Sequence, residues 1–575
     1  MVLLLSCRIQ AFDFNYNSSG NPAHWAFPSP NASISTNVLN RTTHALRFFI
    51  ALDGFSTTNT AAELNAVRNS FGEWQAIPNT IIKFEYGGLT GAATDVNTGD
   101  NTNVVYWTKT STLVNGGHDD IGGALGVTFS SFTVPGNEIL QSDIVLNAVD
   151  YGWFTDFTDQ NNANFFIESV LCHEIGHQLG MAHAAIGGAA MLYAGDNGIG
   201  SQFGLTADEV SFARTVYPSG SILASLGNLK GQVTGNGVPL LGAVVVVEGT
   251  NGNLAGGTVT LTNGNYIMNA LPPGSYNVRV VPLDPATNST FLIKGISVAN
   301  PNFSSAITSF LPTTNTPVTL SAGVTNSLNF AVTMAEPAFR ISSIRQPTLD
   351  PNSYSIISLP ISLRAGQSNY TIGALSPNLP TNNATITING DGLTLGTSTF
   401  RAGPFAGLNT ASILISVASN ATPGLRSFLI QSGTNRAYAN GYLRIRAPVP
   451  DYNFDGLDDV FQRKYFFPFT SASAAPGADP DLDGFSNYQE YIAGTTPTNA
   501  ASVLKIQSVS ATSSNSTVTW QSVAGKNYQL TVSTNLAKGL WQNVGGLKSS
   551  AGATTAVIDF TSPKGPRFYR VQALP

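Results

Sequence analysis

His173-Glu174-Ile175-Gly176-His177-Gln178-Leu179-Gly180-Met181-Ala182-His183 gathers three of the chain's six histidines into eleven residues. If the segment begins as a helix, His173 and His177 lie four apart on one face, one turn above the other. Two imidazoles at that separation can share a single Zn²⁺. Glu174 is rotated off the pair and can reach a metal-bound water without ligating the metal. Gly180 stands where the helix must stop and the chain must turn sharply, which calls for a permissive φ. The turn returns His183 as a third ligand. Three protein ligands leave one position open for water, the arrangement of a catalytic zinc rather than a structural one. H-E-x-x-H alone arises by chance on amphipathic helices, but a glycine and a third histidine at fixed offsets make coincidence a poor explanation.

Working outward, residues 12–218 mix strands and helices. Leu46–Ala51, Ile81–Phe84, Val104–Trp107, Gly126–Phe129 and Ile144–Leu146 read as short strands. Leu64, Val67, Phe71 and Trp74 recur at helical spacing within Thr60–Ile77. A second helix is expected from about Ala163 to Leu179 and a third from about Thr206 to Val216. The expected class is α/β or α+β for this segment. Beyond Ser225 the helical periodicity vanishes and strands alternate with Gly/Pro/Asn turns, including Leu271-Pro272-Pro273-Gly274, the texture of all-β sandwiches.

The zinc segment resembles the metzincin zinc peptidases, whose signature is H-E-x-x-H-x-x-G-x-x-H followed by a methionine turn. Met191, eight residues beyond His183, has the matrixin spacing, and Leu205–Tyr217 resembles the closing matrixin helix. The resemblance covers residues 12–218. It implies a zinc endopeptidase with Glu174 as general base and Met191 as a packed floor under the histidines. Tyr193, two residues past the methionine as in astacins and serralysins, would hydrogen-bond the developing oxyanion; the alternative is an ordinary rim tyrosine. Ala184 departs from the usual matrixin Ser, and no long pro-segment precedes Phe12. His118-Asp119-Asp120 lacks companion histidines and reads as a solvated loop, and Cys172 as a small core residue.

Asp479, Asp481, Asp483, Phe485, Asn487 and Glu490 occupy positions 1, 3, 5, 7, 9 and 12 of a D-x-D-x-D-G-x-x-N-x-x-E loop, a Ca²⁺ pattern. Asp451, Asn453, Asp455, Leu457, Asp459 and Gln462 form a second copy that ends in Gln and should bind more weakly. The pair resembles calcium repeats of bacterial secreted proteins. Residues Gly231–Thr333 resemble the carboxypeptidase-regulatory-like (transthyretin-like) module.

The 575 residues fit several domains. Only 10% are charged, against 42% apolar, with 56 Gly and 31 Pro. A net charge of −6 with no basic cluster excludes nucleic acid, and no apolar run is long enough to span a membrane. Two cysteines exclude a disulfide framework. The start, Met-Val-Leu-Leu-Leu-Ser-Cys, reads as a leader remnant, with Cys7 a lipidation candidate.

The expected organisation is a leader remnant (1–11), zinc peptidase domain (12–218), transthyretin-like β-sandwich (225–335), immunoglobulin-like β domain (336–447), calcium repeats (451–500) and a C-terminal β domain (502–575). Within the last, Trp520, Tyr528, Trp541 and Tyr569 are expected in the core. The expected function is a secreted or cell-surface-associated zinc endopeptidase acting on proteins or peptides, with structural calcium and with β modules that contact cell-surface or polysaccharide ligands. The alternative is an adhesion or carbohydrate-binding protein whose metzincin-like domain is inactive.

Overall fold

The computed structural model describes the chain apart from residues 1–7, 11–13, 17–21, 92–94, 135, 161, 201–202, 284–302, 304, 350–355, 358, 406 and 562–564. Cys7 and its neighbours therefore lie outside the described residues. The chain divides into two compact units, Met1–Tyr452 and Asn453–Pro575. No described helix is long and apolar enough to cross a membrane.

The first unit opens on a mixed sheet. Its strands are β1 (Leu39–Asn40), β2 (Ala45–Ala51), β3 (Phe84–Thr90), β4 (Val104–Thr108), β5 (Gly126–Phe132) and β6 (Ile139–Asn147). They run in the order β1-β2-β4-β6-β5, with β3 paired to β2. β2 pairs in parallel with both β3 and β4, and β4 in parallel with β6, whereas β5 runs antiparallel to β6 at the edge, with Thr128 opposite Ile144. β6 is buried on both faces. Its apolar stretches, Ile139-Leu140 and Ile144-Val145-Leu146, flank Gln141, Ser142 and Asp143, which are buried and hydrogen-bonded.

Three helices accompany this sheet: α1 (Thr60–Gln75), α2 (Ile167–Gln178) and α3 (Ala207–Val216). In α1, Val67, Phe71 and Trp74 are buried as the spacing requires, with Phe71 stacked on Phe48 of β2 at 3.8 Å. Yet Glu63, Asn69 and Glu73 are buried too: Glu63 accepts from the N–H and hydroxyl of Ser56 in the preceding loop, and against α2 Asn69 donates to Glu168 (2.8 Å) and Trp74 Nε1 donates to the Cys172 carbonyl (2.8 Å). α2 starts later than its periodicity indicates. Phe165–Phe166 is taken by a short parallel pairing with Trp153–Phe154. Similarly, Ile81 is not in a strand, since its N–H bonds the Tyr217 carbonyl, and the strand begins at Phe84.

Residues 227–332 form two sheets, one built on Gly227–Gly235 and one on Ala243–Gly249, whose neighbours are Leu254–Val259 (β7) and Gly274–Pro282. Residues 343–446 form two more, and their apolar side chains share one core that includes Ile344, Ile372, Ile413, Phe428 and Leu443. Its strands Gly424–Ser432 (β8) and Asn435–Arg446 (β9) are an antiparallel pair.

The second unit holds the short helices Asp459–Tyr465 and Asn487–Ala493 and two small sheets. Trp520 and Tyr528 are fully buried there, as expected. Tyr569 packs partly buried against that core, its hydroxyl donating to Asp559 (3.0 Å). Trp541 is only half-buried, a departure from the expected core: it precedes the two-residue strand Gln542–Asn543 and lies under the Arg570 guanidinium (4.6 Å).

Within the first unit a buried ion pair ties the two pairs of β-sheets together. Arg279 Nη1 meets Glu248 at 2.8 Å and also donates to Asn315 Oδ1 (3.3 Å), and its other donors go to Asn440 Oδ1 (2.8 and 3.1 Å) and Ser427 Oγ (2.6 Å). Glu248 also accepts from Asn389 Nδ2 at 3.0 Å. Breaking a buried pair leaves an uncompensated charge, which costs far more than the pair itself contributes. Arg279→Ala is expected to destabilise the first unit by about 3–5 kcal/mol, measured as a shift of the urea midpoint of the full chain.

Candidate metal centre

α2 carries His173 and His177 into a cleft of about 950 Å³, lined by β5 on one side and by Tyr151, Phe165, Tyr193 and Gly195 on the other. The helix ends at Gly180, whose φ of +93° lies in the left-handed region, and a Cβ there would strike the Ala23 carbonyl at 2.2 Å. The turn brings His183 back onto the other two, as the sequence indicates. The three ring centroids stand 4.7, 4.8 and 5.2 Å apart, and one ring nitrogen of each lies within 4.8 Å of the others.

The hydrogen bonds decide what these nitrogens can do. His173 Nδ1 lies 2.9 Å from the Ala190 carbonyl and His177 Nδ1 lies 2.8 Å from the Met181 carbonyl. A carbonyl oxygen only accepts, so both Nδ1 atoms carry the proton. Burial pushes His173 down to about 3, with His177 beside it adding to the effect and the Ala190 bond opposing it. Burial likewise pushes His177 down to about 4 against the Met181 bond, and His183 well below the usual histidine range, with His177 and His173 contributing. The rings are therefore neutral, and each Nε2 of the helical pair presents a bare lone pair. Those two Nε2 atoms are 3.0 Å apart. With no proton left to share, the contact is two facing lone pairs, which a cation relieves. The triad fits a zinc site.

Glu174 is buried beside the triad. The Thr128 hydroxyl of β5 reaches it from across the cleft, 2.7 Å from Oε2 and 2.9 Å from the main-chain carbonyl. Burial pushes the carboxyl up to about 7, and the Thr128 bond pulls it down. A divalent cation at the histidines acts in the same direction as Thr128. Met191 is fully buried with its sulfur directly beneath α2 at Gly176, and its N–H donates to Glu209 of α3 (3.0 Å). Glu209 also closes a capping box with Thr206. Tyr193 borders the cleft with its ring 6.3 Å from that of His183.

Two groups of metal-capable side chains converge among the described residues: the histidines and Asp479/Asp481/Asp483. His118-Asp119-Asp120 joins neither; His118 and Asp120 are exposed, as a solvated segment should be, though the segment is hairpin rather than loop. Asp119–Asp120 pairs with Leu113–Val114 as a small hairpin, fixed by Asn115 donating to Asp119 (2.8 Å). Cys172 is buried, its sulfur 3.1 Å from Glu73.

In the second acidic loop, Asp481 Oδ2, Asp483 Oδ2 and Asn487 Oδ1 are buried without a hydrogen-bond partner. Burial pushes Glu490 up to about 7, with a hydrogen bond from the Thr495 side chain opposing it and the Asp481, Asp483 and Asp479 carboxylates adding to it. Phe485 N–H donates to Asp483 (2.9 Å). In the first loop, Leu457 N–H donates to Asp455 in the same way (2.8 Å), but Asn453 and Gln462 turn their amide N–H groups onto the Asp455 carboxylate (3.0 and 2.8 Å). Asp459 is buried, and Asp451 belongs to the first compact unit.

Two groups at the zinc centre escaped the sequence reading. Thr128 stands 46 residues before Glu174, and its only signal is a polar residue in a strand bordering the cleft. Glu209 was legible as a capping residue, but not as a partner of Met191.

Residues 42–218 match the matrixin family. No curated protein matches the chain. Among solved structures, the chain is 16% identical to the minor pilin of the gram-positive pathogen Streptococcus agalactiae over 21% of this chain and 48% of that one, with a TM-score of 0.14. It therefore spans about half the length of that pilin. It is 10% identical to the major pilin subunit of Bacillus cereus over 58% and 85%, also with a TM-score of 0.14. The matrixin match and the histidine triad together support a zinc metallopeptidase domain. Replacing His183 with Ala is expected to weaken zinc binding by more than about 100-fold, beyond what loss of an outer partner costs, measured by chelator competition on the full chain.

Proposed function

We propose that this chain is a secreted zinc endopeptidase, in which His173, His177 and His183 hold the metal through their Nε2 atoms and Glu174 is the general base. The observation that carries the reading is the pair of unprotonated Nε2 atoms 3.0 Å apart, beside a buried carboxyl. Zinc bound there would polarise the scissile carbonyl and lower the pKa of its water to about 7.

The remaining work falls to the chain. Glu174 takes the water proton as the oxygen attacks the carbonyl carbon, then delivers that proton to the departing amine as the C–N bond breaks. Thr128 holds one carboxylate oxygen by hydrogen bond, so the other is left to face the water. Tyr193, which borders the cleft, would donate to the oxyanion. Met191 packs under the ligands and takes no part in the reaction.

The substrate class follows from β5. It is the edge strand of the sheet, and Gly126–Ser130 line the cleft. An extended peptide can add to that edge through main-chain hydrogen bonds, which favours unfolded or loop segments of proteins. Glu174→Gln is expected to retain stoichiometric zinc while peptide cleavage falls by about 10²–10⁴-fold, read by metal analysis alongside a peptide-library assay. Cleavage at the wild-type rate would remove Glu174 from the mechanism.

We also propose that the second acidic loop binds structural calcium, supported by its unpartnered buried oxygens, and that the first loop binds more weakly because its own amides already neutralise Asp455. The alternative to calcium is a hydrated acidic linker. Calcium addition to EDTA-treated protein is expected to raise the melting temperature of the second unit, and Glu490→Ala to abolish most of that rise. An unchanged melting curve favours the linker.

A further inference from the structure

The loop from His183 to Met191 carries a metal ligand at one end and the buried methionine at the other. It is closed on itself by Ala184 N–H donating to the Met191 carbonyl (2.8 Å), and its Ala190 carbonyl orients His173. The middle of this loop meets a strand far along the chain. Gly187 N–H donates to the Asn440 carbonyl of β9 at 2.8 Å. Next to it, Gly441 takes a φ of +77°, and a Cβ there would stand 2.2 Å from the Gly187 carbonyl oxygen. A Cβ on Gly187 would enter the Tyr442 ring at 2.7 Å, and one on Gly188 would meet Leu425 of β8 at 2.5 Å. Two backbones thus touch with no side chain between them.

A second grip comes from β7. A Cβ on Gly257 would lie 2.5 Å from Ile186 Cγ2, and the Gly257 N–H donates to Asp208 at 3.1 Å. Asp208 precedes Glu209, the residue that holds Met191 N–H. The two β-sheet regions therefore contact both supports of the loop, its middle and its anchoring helix.

We propose that β9, through Asn440–Tyr442, is a positioning element of the metal centre: it sets the path of the loop that presents His183 and orients His173. On this view the β regions complete the metal site. The inference deepens the peptidase reading and rests on it. A close backbone contact has no rotamer with which to absorb a displacement, so a shift at Gly441 passes to Gly187 and along the loop to the ligands.

The test uses the full chain loaded with Co²⁺, whose visible ligand-field bands report coordination geometry without reference to activity. Gly441→Ala is compared with Gly433→Ala, which changes a positive-φ glycine at the β8–β9 turn with nothing within 4 Å of the new Cβ. Gly433→Ala is expected to leave affinity and bands as in the wild type. Gly441→Ala is expected to melt cooperatively yet bind Co²⁺ at least 10-fold more weakly, with altered bands. Wild-type affinity and bands in Gly441→Ala would overturn the proposal. Should Gly441→Ala fail to fold, Leu425→Ala removes the packing on Gly188 without moving backbone, and the same two readouts decide. If the wild-type chain binds Co²⁺ no better than His183→Ala does, the metal centre itself falls, and the clamp with it.

Discussion

Everything at the cleft depends on where two protons sit. The Ala190 and Met181 carbonyls take the Nδ1 protons of His173 and His177, so the Nε2 lone pairs must point at one another across 3.0 Å. Both carbonyls belong to the turn and loop that follow α2, the same backbone that delivers His183. Fixing the tautomers, ending the helix at Gly180 and returning the third imidazole are therefore one structural event. Burial reinforces it by keeping the rings neutral, the only form in which an imidazole can ligate a metal.

The carboxyl next to the triad is held by a different logic. Glu174 on α2 is reached by Thr128 on β5, so the helix and the edge strand meet at one hydroxyl. Because Thr128 offers a single proton to two acceptors, the bond is a restraint on geometry more than a strong stabilisation of charge. On the proposed reading, the strand whose edge would receive a peptide also holds the carboxylate that would act on it.

The ligand set was legible because all three histidines lie within one helix and one turn, where spacing dictates geometry. The strand positions were legible for the same local reason, although strand and helix ends shifted where distant partners claimed the backbone, as Trp153–Phe154 does with Phe165–Phe166. Thr128, Glu209 and the grip of β9 on Gly187 were not legible. Each depends on a contact between segments with no fixed sequence offset, and the last is made by backbone atoms that every residue shares. Trp541 was misplaced because aromatic character signals burial only on average.

Asp208 bonded to Gly257, Arg444 bonded to the Phe203 carbonyl (2.8 Å) and Arg446 bonded to Gln160 (2.9 Å) stitch the residues flanking the cleft to strands far along the chain. Multi-module proteins are often pictured as beads that recombination can reorder at their linkers. Here a cut between residues 218 and 225 would separate surfaces that are hydrogen-bonded to each other. The segment that has to be kept together is accordingly larger than the family match, and it runs to at least Arg446.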